Sequence, residues 1–535
     1  MDLTAVLSFS AFIGFVIWYS WWKTRGTNLG QSEGYFLAGR SLTWPVIAAS
    51  LILTNISTEQ MIGLNGDAFT HGMSVMAWET VASIAMVAMA LFFLPRYLKS
   101  GIATIPQFLE ARFGKNMRCM ISLMLLVALT VGYLPFVLYS GAVGMNSLFH
   151  VDVAFGISYK ASIWIMVIAL SLAGIGFAIC GGLKAAATSD AVYGVGLVVG
   201  GFLIPVLGLL KLGDGSILNA FHIMATNRPE MLNPVTTNPQ ANIPFSTLFT
   251  GMLIINLFYW CTNQAIVQRT FGVKDLAESQ KGVLFAAFLK IIGVGVLVLP
   301  GIIAWHLNAA GKISVSAQDV AYPVLVAAVL PPWMTGFFAA VMFGAIISSF
   351  NGGLNSVTAL FSLDLYKPII RKQASEKEVV WAGRIFGIIL VIICILIAPE
   401  LRQSGSFYTL MRKVLAFLKI PIFAIVLMAI FSRRAPAKAA FIAVPIGMIF
   451  WGWGMYVKKC TFFGHTIHWL HLAGIYLLIL MGIMMVVRWI KPTEAVYVQK
   501  DTGEVNLTFW KGAKASGVGI ILLVVAMYWI LNRFF

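Results

Sequence analysis

Two polar stretches interrupt long apolar runs in this sequence of 535 residues. The first is Thr-Asn-Ile-Ser-Thr-Glu-Gln at residues 54–60, and the second combines Asn256 with Tyr-Trp-Cys-Thr-Asn-Gln at residues 259–264. Lipid cannot satisfy the hydrogen bonds of such groups, so they are tolerated at membrane depth only where they are buried in protein or line a cavity. The two stretches therefore either form a polar binding site or belong to two polar-rich helices inside a bundle.

Two ionisable residues, Glu79 and Lys290, also lie inside apolar runs. At about 1.5 Å per residue, Lys290 is roughly 12 Å and Glu79 roughly 7 Å from an end of its run, whereas Asn55 and Asn256 both reach roughly 15 Å. That depth is the middle of a hydrocarbon core about 30 Å thick. Because an ionised side chain at such depth is costly, Glu79 and Lys290 are candidate functional residues, with a pair that only locks helices as the alternative.

A third polar cluster, Ser-Ser-Phe-Asn-Gly-Gly, occupies residues 348–353. Ser348 lies roughly 22 Å into its apolar run. Hydroxyl and carbonyl oxygens are hard ligands that an alkali cation accepts, and an unwound helix can supply further carbonyls. Since serine also tightens the packing of membrane helices, the cluster by itself supports either role.

The composition identifies the elements that must position these residues. Hydrophobic residues make up 59% of the chain and charged residues 11%, whereas a soluble protein has roughly 25% charged residues. The chain is therefore predicted to be an integral membrane protein of helices about twenty residues long. The apolar runs predict fourteen spans, at residues 3–22, 45–63, 74–94, 119–149, 161–180, 191–210, 245–270, 282–305, 333–363, 379–398, 407–431, 439–457, 467–487 and 515–531.

The basic residues behind the net charge of +17 are distributed unequally among the loops and do not form a separate basic domain. Of the 37 Lys and Arg residues, 24 fall in odd-numbered loops, 8 in even-numbered loops and the C-terminal tail, and five inside spans. Lys and Arg accumulate on the cytoplasmic side of membrane proteins. This bias predicts cytoplasmic odd loops and two external termini, and it leaves no basic domain that would bind nucleic acid. The five basic residues inside spans are Lys290, Arg384, Arg412, Lys413 and Lys419.

The two interrupted spans, the second and the seventh, lie five spans apart. An odd separation means that they cross the membrane in opposite directions, as the first helices of two inverted five-helix repeats do in transporters. We therefore predict an all-α membrane protein of about 14 helices with a 5+5 inverted-repeat core and broken helices 2 and 7. Residues 1–535 would form one transporter domain, with repeats at 45–210 and 245–431 and peripheral helices at 3–22 and 439–531.

Several short motifs resemble the solute:sodium symporter family. They are Tyr-Phe-Leu-Ala-Gly-Arg-Ser at residues 35–41, Ala-Ser-Leu at 49–51 leading into 54–60, Gly-Gly-Leu-Lys-Ala at 181–185, and residues 259–264 followed by Gln-Arg-Thr at 268–270. Within the family the likeness is greatest to the bacterial sodium/galactose symporters, relatives of the animal sodium/glucose cotransporters. The resemblance covers nearly the whole chain. It implies a leucine-transporter-type core in a plasma membrane, here the inner membrane of a bacterium.

The resemblance also implies a sugar site. The family's sugar-binding positions correspond here to Asn55, Gln60, Glu79, Asn256 and Lys290. Amides offer a donor and an acceptor together, the carboxylate accepts and the ammonium donates, so a neutral polyol could exchange its water for these groups. Tyr259 would stack beneath the sugar ring as the inner gate, with Trp260 beside it, and Trp78 would cover the ring from outside.

The family's sodium site maps onto backbone carbonyls and two hydroxyl groups. The carbonyls belong to Leu53, Ile56 and Ala345, and the hydroxyls to Ser348 and Ser349. Asp190 matches a family carboxylate near the sodium exit route, with an interfacial charge as the alternative. Sodium is the one co-transported ion expected, at one per sugar, and no organic cofactor is implied.

Two positions depart from the sugar-binding pattern. Ala82 replaces a serine, and Lys413 aligns with a sugar-binding glutamine in a register that is anchored only on Pro421 and could slip by two residues. Lys413 either neutralises Glu79, which leaves a neutral hexose as the substrate, or attracts an acidic sugar. We expect the first.

The sequence thus predicts sodium-coupled uptake of a galactose- or glucose-like monosaccharide by alternating access. The partners are then a small sugar, sodium and the lipid bilayer, without nucleic acid, while the oligomeric state stays open. Other solutes (an acidic sugar, inositol, a monocarboxylate or an amino acid), proton coupling and a channel are the alternatives. An enzyme is disfavoured, because the sequence contains no HExxH, GxSxG or P-loop pattern.

Overall fold

The computed structural model describes residues 3–25, 31–149, 151–176, 181–238, 241–403, 407–462 and 464–535. The architecture is helical. The α-helices are α1 (Leu3–Thr24), α2 (Ser32–Phe36), α3 (Trp44–Asn55), α4 (Thr58–His71), α5 (Ala77–Ala88), α6 (Leu94–Lys99), α7 (Ile105–Phe113), α8 (Lys115–Val127), α9 (Leu134–Phe149), α10 (Val151–Phe155), α11 (Tyr159–Gly174), α12 (Gly181–Leu212), α13 (Ile217–Asn227), α14 (Gly251–Cys261), α15 (Gln264–Phe271), α16 (Leu276–Ile292), α17 (Val294–Leu297), α18 (Leu299–Ala309), α19 (Ala321–Val329), α20 (Pro332–Ala359), α21 (Glu376–Ile397), α22 (Phe407–Phe431), α23 (Ala437–Gly452), α24 (Trp469–Ile490) and α25 (Ala513–Phe534).

Shorter elements connect or extend these helices. Two short strands, β1 (Thr461–Phe462) and β2 (His465–Thr466), pair antiparallel between α23 and α24. Single 3₁₀ turns lie at Ala38–Arg40, Gly72–Met76, Pro229–Met231, Phe245–Phe249, Gln318–Val320 and Ala398–Gln403, and π-helical segments at Met89–Phe93, Ala128–Tyr133, Leu360–Ile370 and Trp453–Val457.

Nine helices within the described ranges are long and apolar enough to cross a membrane, and ten if α16 and the bent α17–α18 form one span. Five shorter apolar helices accompany them. The sequence expectation of fourteen spans stays a prediction, because length and composition alone do not assign the shorter helices. The outer surface is apolar, as lipid requires, with Trp489 86% and Leu478 70% exposed.

Helices α3 and α4 meet at a break in the first polar stretch. The backbone leaves helical geometry at Ile56 (ψ 82°) and Ser57 (ψ −178°), and α4 then begins at Thr58. Breaking a helix removes the intrahelical partners of carbonyl groups in its last turn. The carbonyls at the end of α3 are therefore available to side chains and ligands.

A similar break separates α14 from α15 in the second polar stretch. Helix α14 ends at Cys261, Thr262 and Asn263 connect, and the Asn263 side chain caps α15 by accepting from the Ala265 N–H at 3.3 Å. Asparagine is among the preferred N-cap residues because its side-chain oxygen satisfies an unpaired helix N–H.

The packing of a few helices positions both polar regions. Helix α3 packs against α12, α16 and α20, while α5 packs against α14 and α16. One cavity is consequently enclosed by α3, α5, α14 and α16. A second polar cluster lies where α3 meets α12, α15 and α20.

Candidate functional site

A cavity lies beside the break between α3 and α4. It contains about 660 Å³ of space free of protein atoms, a volume that includes the open solvent at its mouth. Eight of the nine residues predicted to bind substrate line it, and these are Asn55, Gln60, Trp78, Glu79, Asn256, Tyr259, Trp260 and Lys290. The remaining lining residues are Ala82, Tyr133, Ile255, Ala416 and Lys419.

A buried ion pair crosses the cavity wall. The ammonium group of Lys290 on α16 pairs with the carboxylate of Glu79 on α5 and also donates a hydrogen bond to Oδ1 of Asn55 at the end of α3. The side chains of Lys290 and Glu79 are each only 1% exposed. A buried charge is tolerated when it is paired and hydrogen-bonded. The pair therefore ties three helices together and presents polar groups to the cavity.

Two amide side chains supply further polar groups. The Oε1 atom of Gln60, in the first turn of α4, is buried and accepts no hydrogen bond from the described protein. Asn256 donates from Nδ2 to the Met252 carbonyl at 3.0 Å, which orients its amide on α14. Because an unsatisfied buried acceptor costs about 1–3 kcal/mol, Gln60 is suited to accept a donor from a bound solute.

Aromatic rings complete the lining. Tyr259 and Trp260 stand nearly perpendicular, at 77° with centroids 5.4 Å apart. The Lys290 ammonium lies 5.8 Å from the centre of the Trp260 ring, within the range of a cation–π contact. Trp260 is buried and Tyr259 is half-buried, so Trp260 supports the ion pair while Tyr259 presents part of its ring to the cavity.

Helix α22 contributes a lysine that the sequence analysis did not place in the site. The structure puts Lys419 and Ala416 at the cavity, whereas Lys413 lines a separate recess with its ammonium 5.9 Å from the Trp469 ring. The partner of Glu79 is Lys290, so Lys413 does not neutralise Glu79. The alignment of this helix with the family pattern depended on Pro421 alone, and it assigned Lys413 rather than Lys419 to the site. The sequence indicated Lys419 only as one of five basic residues inside predicted spans.

The second polar cluster joins the end of α3 to α20. The Ser349 hydroxyl donates to the Thr54 carbonyl at 2.7 Å, and the Ser348 Oγ lies 3.2 Å from the Thr54 Oγ1. The structure buries Leu53 and Ile56 at the end of α3, and Ala345 one turn before the serines. These neutral hydroxyl and carbonyl oxygens are the type of ligand that suits an alkali cation.

A buried charge pair adjoins this cluster. Asp190 on α12 accepts a 2.6 Å hydrogen bond from Ser50 and lies 3.3 Å from the Arg269 guanidinium, which also donates to Ser50 at 2.7 Å. The structure thus buries Asp190 completely among protein side chains. Its partner Arg269 entered the sequence analysis only as part of the motif at 268–270.

The chain matches the sequence model of the sodium:solute symporter family over residues 35–447. It belongs to this family. An uncharacterized symporter, YidK of Escherichia coli (strain K12), is 45% identical over 529 residues, which cover 99% of this chain and 91% of that protein. The sodium/glucose cotransporter of Vibrio parahaemolyticus is 31% identical over 458 residues, 82% of each chain. Sodium/glucose cotransporter 1 of Ovis aries is 28% identical over 526 residues, 90% of this chain and 77% of that protein.

Solved structures show the same fold. A Na⁺-coupled sialic acid symporter superposes with a TM-score of 0.78 at 18% identity, over 93% of this chain and 99% of that one. The nucleobase-cation-symport-1 family transporter Mhp1 gives a TM-score of 0.52 at 15% identity, over 90% and 97%. Together these comparisons identify this sodium:solute symporter as a multi-pass membrane transporter and not an enzyme, and they support sodium-coupled symport.

Proposed function

We propose that this sodium:solute symporter uses the inward movement of sodium to take up a monosaccharide of the galactose or glucose type. The observation that carries the proposal is the Lys290–Glu79 pair with Asn55, which lines a cavity at the end of α3. The serine cluster on α20 contacts the same end of α3, so the substrate site and the sodium site would share the break between α3 and α4. Relatives that are named sodium/glucose cotransporters support the proposal.

The cavity suits a polyhydroxylated ring. Glu79 and Lys290 offer a charged acceptor and donor, and the amides of Gln60 and Asn256 offer both functions at neutral charge. Hydrogen bonds to charged groups contribute about 1.5–3 kcal/mol each and neutral ones about 0.5–1.5 kcal/mol. The ring of Tyr259, on the helix that ends at the second break, would stack on one face of the sugar.

Sodium would bind the oxygens between α3 and α20. Its ligands would be the carbonyls of Leu53, Ile56 and Ala345 together with the hydroxyls of Ser348 and Ser349. Ser349 already bridges the two helices through the Thr54 carbonyl. An ion held by both helices would hold the end of α3, and with it Asn55, in the arrangement that the solute requires. Asp190, which accepts a hydrogen bond from Ser50 on α3, would interact with sodium as it leaves.

Coupling then follows from differential affinity. Sodium and solute each stabilise the conformation that binds the other, and this mutual stabilisation shifts the equilibrium between outward-open and inward-open states. With one sodium per neutral sugar, each cycle moves one charge, and a membrane potential contributes about 2.3 kcal/mol per 100 mV. The proposal includes broken helices 2 and 7 among fourteen spans, repeats at 45–210 and 245–431, peripheral helices at 3–22 and 439–531, and external termini in a bacterial inner membrane.

Uptake into proteoliposomes tests this function. Labelled galactose and glucose are offered with an inward sodium gradient, an equal potassium gradient or no gradient. We expect concentrative uptake only with sodium. Accumulation that a potassium gradient drives equally well, or none for either sugar, contradicts the proposed function.

Ser349→Ala tests the sodium site. The loss of one oxygen ligand, at about 1.5–3 kcal/mol, raises the half-saturating sodium concentration by roughly 10- to 150-fold. Ser189→Ala is the matched control, since Ser189 is equally buried but donates only to the Ala186 carbonyl of its own helix, at 2.8 Å. An unchanged sodium dependence in Ser349→Ala, with uptake intact, would show that the cation binds elsewhere.

A further inference from the structure

A groove on the lipid-facing surface lies between α16 and α25. It is lined by Lys281, Phe285 and Phe288 from α16 and by Ser516 and Leu523 from α25. The two phenylalanines and the leucine are exposed, as expected of a surface that contacts lipid chains. The groove is separate from the cavity between α3, α5, α14 and α16, because the two share no described lining residue.

Both helices begin at the same end of this groove. The backbone N–H of Trp510, just before α25, donates to the side chain of Gln280, near the start of α16, at 3.0 Å. Lys281, Ser516 and the rings of Trp44 and Trp510 line this end. The lining further along both helices is apolar. The groove is therefore polar and cationic at one end and apolar over the rest of its length.

The length of the groove matches one leaflet of a bilayer. From Lys281 to Phe288, and from Ser516 to Leu523, each helix rises roughly 10 Å. One leaflet supplies half of a hydrocarbon core about 30 Å thick. Tryptophan rings concentrate at the boundary between hydrocarbon and headgroups, and the polar end has two of them. Their indole N–H groups and the Ser516 hydroxyl are donors that suit phosphate and ester oxygens.

Basic residues outnumber acidic ones at the polar end. Residues 274–281 and 505–514 contain four lysines and two acidic residues, a net formal charge of +2. Glu278 already uses both carboxylate oxygens, one for the Trp44 N–H and the other for Lys281, each at 3.0 Å. Lys511 and Lys514 are exposed and form no ion pair with any residue that the structure describes. Both segments belong to odd-numbered loops, which are predicted to be cytoplasmic.

We propose that this groove binds one anionic phospholipid of the cytoplasmic leaflet. Its phosphate would lie among Lys281, Lys511 and Lys514, and one acyl chain would follow the apolar part between α16 and α25. The lipid would contact Trp44 in the first turn of α3, the helix whose other end carries Asn55. This site is independent of the transported solute.

Charge distinguishes an anionic phospholipid from a zwitterionic one. Phosphatidylglycerol has a net negative charge and phosphatidylethanolamine has none, while their acyl chains can be identical. Basic pockets between membrane helices on the cytoplasmic side bind anionic headgroups. The apolar lining holds the chains of either lipid, so the lysines provide the preference between the two.

Lipid titration followed by native mass spectrometry tests the site. Purified protein in detergent is titrated with dioleoyl phosphatidylglycerol or dioleoyl phosphatidylethanolamine. We expect the first phosphatidylglycerol to bind with a Kd about tenfold lower than that of phosphatidylethanolamine, a difference of about 1.4 kcal/mol. Inorganic phosphate, which has no acyl chain, should not compete with phosphatidylglycerol. Equal Kd values for the two lipids, or competition by inorganic phosphate, overturn the proposal.

A triple substitution tests the role of charge. Lys281→Gln/Lys511→Gln/Lys514→Gln changes the net formal charge of the two segments from +2 to about −1 and should abolish the preference for phosphatidylglycerol. Arginine at the same three positions keeps the charge and should retain the preference, which distinguishes lost charge from misfolding. The control triple variant removes the same charge from exposed positions in other loops predicted to be cytoplasmic, and these are Lys372, Lys377 and Lys438. An equal loss of preference in the control would show diffuse attraction to a basic surface and overturn the proposal.

A bulky substitution tests the role of the groove. Gly519 lines it, and a Cβ at this position meets no atom within 4 Å. Gly519→Phe should therefore fill the groove without strain and weaken phosphatidylglycerol binding about tenfold, with all lysines in place. Gly482→Phe on α24 is the control, because a Cβ there is equally unobstructed and lies outside the groove. Binding that Gly519→Phe leaves unchanged would place the lipid elsewhere and overturn the proposal.

Discussion

The buried pair of Glu79 and Lys290 allows a double-mutant test of the cavity. Glu79→Gln leaves the Lys290 ammonium buried without its carboxylate, and Lys290→Met leaves the Glu79 carboxylate buried without its ammonium. Each side chain is 1% exposed. Removing one partner of such a pair costs about 3–5 kcal/mol in the free energy of unfolding, mainly because the remaining charge stays desolvated.

The double variant is expected to recover most of this loss. With both charges gone, the remaining cost is the Asn55 Oδ1 acceptor that loses its Lys290 donor, about 1–3 kcal/mol. The two single losses together amount to about 6–10 kcal/mol. The coupling energy is therefore about 3 kcal/mol or more, whereas independent sites add to within about 0.5 kcal/mol.

The assay is denaturant unfolding of purified protein in detergent micelles, followed by tryptophan fluorescence. The control cycle uses Lys160→Met and Glu400→Gln, an exposed pair at 3.4 Å whose side chains are 60% and 62% exposed. Its coupling should be about 0.2–1 kcal/mol. If a single variant is too unstable to titrate, the yield of folded protein gives the same comparison. Additive losses at Glu79 and Lys290 would refute the reasoning.

Two further predictions concern packing and the second charge pair. Asp190→Asn leaves the buried Arg269 guanidinium without its carboxylate, so the yield of folded protein in membranes should fall sharply. The yield should recover in the double variant Asp190→Asn/Arg269→Gln, and equal yields of the single and double variants would contradict this reasoning. Gly301→Ala should lower the melting temperature, since its Cβ would lie 2.1 Å from the Asn65 carbonyl oxygen of α4, an overlap that costs about 1–3 kcal/mol. Gly519→Ala meets nothing within 4 Å and should melt like the parent protein.

The interruption of two apolar runs could be predicted from the sequence because it depends only on the residue types at those positions. Polar groups at residues 54–60 and 259–264 have hydrogen-bonding capacity that lipid cannot satisfy, so their burial in protein follows from residue type alone. Helical rise then estimates depth, which indicated that Asn55, Glu79, Asn256 and Lys290 could meet. The structure brings these four residues to one cavity. Their role in binding sugar is still a prediction.

Which buried charges pair with each other was harder to predict from the sequence. Arg269 and Asp190 are 79 residues apart, and their contact depends on how α15 packs against α3 and α20 and how α12 packs against both. Residue type indicated that each charge needs a partner, but many opposite charges could satisfy that need. Only the helix packing selects the partner.

Helix α22 shows most clearly what could not be predicted from the sequence. Residue types alone determined that the chain is a membrane protein, that certain spans are interrupted and that several lysines lie within spans, because hydrophobicity and charge are properties of each residue. Lys413 and Lys419 are six positions apart, so they point in directions about 120° apart around the helix. The rotation of α22 about its own axis is set by its contacts with α14 and other neighbours. Only the tertiary structure therefore decided that Lys419, and not Lys413, faces the cavity.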